Sequence, residues 1–122
     1  GLDEDKLMLL RLRDFEEASK LMPYFHSDTY KKLDVSVIDH VILEEMLGIG
    51  SGQEEGIDYD YNRKDAFNKV INQEYQLAFI LKPVAAKAIK AIADASDKMP
   101  HKSTYFHPKL PSGLILYWMD RP

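Results

Sequence analysis

The stretch Leu33-Asp34-Val35-Ser36-Val37-Ile38-Asp39-His40-Val41-Ile42-Leu43-Glu44-Glu45-Met46-Leu47-Gly48 constrains the fold more than any other part of this chain. Positions 38, 41, 42 and 46 make one apolar helical face, and Val35, Val37, Leu43 and Leu47 widen it until two sides of the helix require cover. Asp34 suits the N-cap and Gly48 the residue just past the C-terminus. A helix of this kind needs neighbours on both flanks, so the rest of the chain must supply layers.

Four short apolar runs are the candidates for those layers. Lys6 to Arg13 reads as a strand, buried in its first half and alternating in its second. Gly56 to Tyr61 alternates like a strand with one wet face, Gln76 to Leu81 is a continuous apolar run suited to a central strand, and Leu114 to Met119 closes the chain as a fourth. Between them, Asp14 and Glu17 form a capping box for a short helix that Pro23 stops, and residues 24–32 read as irregular with at most one helical turn. Asn62 with Asp65 starts a helix carrying Ala66, Phe67, Val70 and Ile71, and Pro83 suits the first turn of a helix whose inner face is Ala85, Ala86, Ile89, Ile92 and Ala93. The expected order is β-α-α-β-α-β-α-β: an α+β or α/β domain, one layer of about four strands packed with three to four helices. At 122 residues, 45 % hydrophobic and 30 % charged, residues 1–122 are expected to form a single globular domain.

Charge is distributed unevenly. The formal net charge is −4, yet residues 99–113 contribute +2 through Lys102 and Lys109 and contain no acid, leaving −6 elsewhere. An acidic body argues against nucleic acid as a partner, whereas a local basic loop suits a small anionic metabolite. No apolar window reaches membrane-spanning length, so no membrane partner is expected. The start, Gly1-Leu2-Asp3-Glu4-Asp5, has neither an initiator Met nor the regions of a signal peptide, and reads as the beginning of an excised C-terminal portion of a longer protein. Zero cysteines exclude thiol chemistry in these residues and fit a cytoplasmic location.

The same 99–113 segment holds the candidate site. Lys102, Ser103 and Thr104 offer an ammonium, two hydroxyls and successive backbone N–H groups for a phosphate or carboxylate, with Tyr105 lining the pocket and Lys109 adding a second cation. The competing reading is a solvated loop pinned by Tyr105, Phe106 and Leu110. His101 and His107 have the chemistry of a general acid or base, but their spacing matches no metal motif and no metal site is expected. His40 falls towards the polar side of its helix and reads as a surface or inter-domain residue. Gly48-Ile49-Gly50-Ser51-Gly52 follows a helix and precedes none, so phosphate-loop mechanics do not apply. Asp58 and Asp60 share one side of their segment, either as a wet sheet face or as a pair able to hold a hard cation.

Leu33 to Leu43 followed by Leu47-Gly48-Ile49, then Ala78-Phe79-Ile80-Leu81-Lys82-Pro83, Ile92-Ala93-Asp94-Ala95, Met99 to Phe106, Pro108-Lys109-Leu110 and Ser112-Gly113-Leu114, resemble the C-terminal half of an uncharacterised prokaryotic family, the domain of unknown function ten-fifteen. Lys102, Ser103, Thr104, Tyr105 and Lys109 match its pattern, while His101 and His107 depart from it. The resemblance implies a much longer parent whose N-terminal half is this chain's partner and carries an Asp-Gly-His-His-Arg-Tyr-like motif absent here. It also implies a neighbourhood of serine biosynthesis and small-molecule kinases. Two functions follow as expectations. One is an anion-binding domain completing a phosphotransferase site shared with that half, inactive alone and with no cofactor identified. The other is a non-catalytic interaction domain whose loop and long helix dock a partner domain.

Overall fold

The computed structural model describes residues 7–50, 52–53 and 55–105. Its elements are helices: α1 (Phe15–Lys20), α2 (Asp28–Lys31), α3 (Asp34–Val37) running directly into a π-helical segment (Ile38–Met46), α4 (Arg63–Ile71) and α5 (Ala86–Asp94).

The helix ends follow their capping residues. Asp14 Oδ1 accepts from Glu17 N–H at 3.1 Å and opens α1, Ser27 accepts from Tyr30 N–H and opens α2, and Asn62 accepts from Lys64 N–H and opens α4. Asp34, expected as a cap, lies instead in the first turn of α3, and Leu33 is the N-cap with no side-chain bond. Gly48 takes φ +70° just past the π segment, which is the left-handed backbone its place after a helix requires.

The expected strand layer is contradicted. Among the described residues there is no β-strand, so the four-strand α+β sheet is replaced by helix and coil. Residues 7–13, 56–61 and 76–81 are irregular, and 114–119 lie outside the described residues. Strand preference expresses itself only when a neighbouring strand completes the hydrogen-bond ladder. At 56–61 local bonds compete with any ladder: Asp58 Oδ1 accepts from Tyr59 N–H and Asp60 Oδ1 from Asn62 N–H. The two carboxylates also share the Lys69 ammonium, which occupies the position proposed for a hard cation. That ammonium holds the Asp58 carboxyl below its ordinary range, and the carboxylates in turn push the Lys69 pKa up.

The central core is small. Tyr30, Leu33, Val35 and Ile92 bury together, with Val84, Ala88 and Met99 packed against them. It forms where α2 lies against α5 and α3. Ile92, on the predicted inner face of α5, is the most enclosed member at 1 % exposure. Ile92→Ala is therefore expected to reduce unfolding free energy by about 2–4 kcal/mol, measured by urea denaturation followed by helical circular dichroism. A loss near zero would mean that α5 does not depend on this core.

Candidate functional site

The described residues concentrate their buried polar chemistry where α2, the π segment and the turn after α5 meet. His26 precedes α2, and its Nδ1 lies 2.8 Å from Asp97 Oδ1. Asp97 also accepts from Ser27 N–H at 2.8 Å and from Lys98 N–H at 2.7 Å. An ionised carboxylate only accepts, so Nδ1 of His26 carries the proton and Nε2 is bare in the neutral ring. The His26 ring stacks on Tyr30 with centroids 3.6 Å apart and planes within 6°. Beyond it, Tyr30 Oη lies 3.2 Å from His40 Nε2, and His40 Nδ1 lies 2.7 Å from Glu44 Oε2. The same logic gives His40 a proton on Nδ1, so the phenol donates to Nε2. Two carboxylate–imidazole pairs thus flank one tyrosine.

The electrostatics follow from burial and partners. Burial pushes the Asp97 carboxyl up, but the Ser27 N–H, the His26 ring and the Lys98 N–H outweigh it and bring the pKa down to about 2 from 3.8. Burial raises the Asp39 pKa, opposed by His40 and His101 and reinforced by Glu44. Burial also raises the Tyr30 phenol, as do the negative charges of Asp39, Asp97 and Glu44.

His40 is buried, contrary to the reading of a surface histidine. His40 lies in the π-helical segment, whose wider turns depart from the α-helical periodicity on which that reading rests. Such segments are rare and recur at functional sites. His40 bonds Glu44, four residues on.

The 99–113 residues divide. Ser103 donates its hydroxyl to Pro100 O at 2.6 Å, so that proton is already committed. Lys102 is exposed with φ +54°, Thr104 is exposed, and Tyr105 stacks on Tyr61 with centroids 5.0 Å apart. His101 meets the edge of Tyr59 at 6.3 Å. Lys109 and His107 lie outside the described residues. Lys102, Ser103, Thr104 and Tyr105 share one turn at the surface, separate from the Asp97–His26 pair and the Tyr30–His40–Glu44 bonds that the His26–Tyr30 stack joins.

Sequence reasoning missed His26, Asp97, Tyr30 and Glu44. Only the His40–Glu44 pair carried a local signal, its four-residue spacing.

Beside His26 and Asp97 opens a depression of about 460 Å³ that Phe25, Ser27, Ser96 and Lys98 also line. A carboxylate-held imidazole with a bare Nε2 is a base. Among the described residues no hydroxyl hydrogen-bonds that Nε2. No group of three or more His, Asp or Glu among these residues is placed to share a metal ion. Nor, among them, is any helix long and apolar enough to cross a membrane.

Comparison of the chain with known protein families, with curated proteins and with solved structures finds no match.

The Asp97 interactions have a definite pH signature. Its folded pKa lies below the unfolded value, so its contribution is present above pH 4 and is lost as pH falls towards 2. The stability advantage of the wild type over Asp97→Asn should therefore shrink across that window, as followed by thermal melts. An advantage independent of pH would assign the role of Asp97 to packing.

Proposed function

We propose that this chain is a non-catalytic interaction domain that docks an apolar, acid-rimmed protein surface. One observation carries the reading: Leu7, Met8, Leu9 and Leu10 are consecutive and exposed at 75, 79, 83 and 57 %. Water-facing apolar runs of this kind mark contact surfaces in stable proteins. Arg11 and Arg13, also exposed, follow the run and supply a basic border. Leu7 further borders a groove of about 400 Å³ that Phe67, Ile80, Arg63 and Lys64 also line. Apolar centre and cationic rim together fit a partner whose apolar patch is ringed by carboxylates. The other half of a longer parent is the first candidate for that partner.

A benzophenone side chain placed at position 9 of the protein in its native cell tests this. We expect a discrete adduct whose linked peptide is apolar and acidic, with none from the exposed control position Lys87. Equal background from both positions would overturn the docking role.

The second reading, an anion-binding turn, is favoured by Lys102, which is exposed and forms no ion pair among the described residues. Phosphate should then shift the Lys102 and Thr104 amide resonances saturably, and Lys102→Ala should abolish the shift with little change in melting temperature. The absence of a shift in the wild type would remove this reading and leave docking standing.

A further inference from the structure

Two phenols meet face to face at the surface of this chain. The Tyr61 and Tyr105 rings stack with centroids 5.0 Å apart and planes within 11°. Both side chains remain exposed, at 82 and 66 %. They join the irregular segment 56–61 to the turn at 101–105 and lie 44 residues apart in sequence. Tyr59 and His101 bring the same two segments together a second time, edge to face at 6.3 Å.

A phenol gives up one electron and its phenolic proton more readily than most side chains, and the radical left behind carries unpaired density on the ring carbons ortho to oxygen. Radicals on two neighbouring rings combine through those carbons. A carbon–carbon bond forms, the two ortho hydrogens leave as protons, and the two oxygens take protons back up, which restores both phenols. One hydrogen peroxide accepts the two electrons and two protons first released and becomes two waters. We propose that Tyr61 and Tyr105 are an oxidative modification site, at which a peroxide-driven one-electron oxidant joins their rings as dityrosine and staples segment 56–61 to the turn at 101–105.

The surroundings direct the reaction to this pair. Exposure gives the oxidant access and lets the rings turn from face to edge for the join. Tyr24 is more exposed still, but its ring meets the edge of Phe25 rather than a second phenol. Tyr30 is enclosed, and its ring stacks on His26. With no cysteine in the sequence, no thiol of this chain returns an electron to the radical, and no disulfide can supply the staple. Lys102 and Thr104 lie on the turn that the staple would fix. The site is independent of the docking run at residues 7–10.

The test is oxidation of the dilute full chain by hydrogen peroxide and a haem peroxidase. We expect a monomer lighter by two hydrogen atoms, with the fluorescence of a biphenol and one linked peptide pair carrying Tyr61 and Tyr105. Tyr105→Phe should lose that product, whereas Tyr24→Phe should keep it. The stapled chain should melt several degrees above the unoxidised one, because closing the loop restricts the unfolded chain. In urea, where the stack is lost, the same oxidation should spread the linkage over other tyrosine pairs. A folded chain that gives no biphenol, links only between molecules or joins other tyrosines would overturn the proposal, as would a stapled chain that melts no higher. An undiminished yield of the Tyr61–Tyr105 link in urea would overturn it too, since the fold would then play no part in pairing the rings.

Discussion

The ring of Tyr30 lies in the apolar core with Leu33, Val35 and Ile92, its face covers His26, and its hydroxyl reaches His40. Three segments far apart in sequence are ordered through this one side chain. The loop before α2 is held by the stack and by Asp97, the π segment by the bond to His40, and α5 by the packing of Ile92. A small core gains little from area alone. Polar bonds enclosed beside it count for more because water competes poorly there. The cost is that each enclosed group needs a partner.

The π winding of 38–46 belongs to the same arrangement. His40 lies within that segment, where one ring nitrogen meets Tyr30 and the other meets Glu44. Read with α-helical periodicity, the same sequence places His40 towards the polar side.

Features governed by a few neighbouring residues were legible in the sequence. The caps at Asp14 and Asn62, the left-handed Gly48 and the inward Ile92 depend on chemistry within a turn or two, and the structure contains each of them. The strand layer was not legible, because strand formation depends on a partner that no local pattern specifies. The His26–Asp97 pair spans 71 residues and shows no spacing signal at all. The basic turn drew attention through its composition, but composition could not reveal that Ser103 spends its hydroxyl on Pro100.

The failed strand expectation and the exposed apolar run share one physical origin. Residues 7–10 have the composition of a buried strand and, among the described residues, neither a ladder to join nor a core to face. With no strand beside it among the described residues, the segment leaves its side chains exposed. In the buried cluster, by contrast, the Asp97 and Glu44 carboxylates each bond an imidazole and the Tyr30 phenol bonds His40. The leucine run faces outward, while the Tyr30 cluster is packed inward against the core.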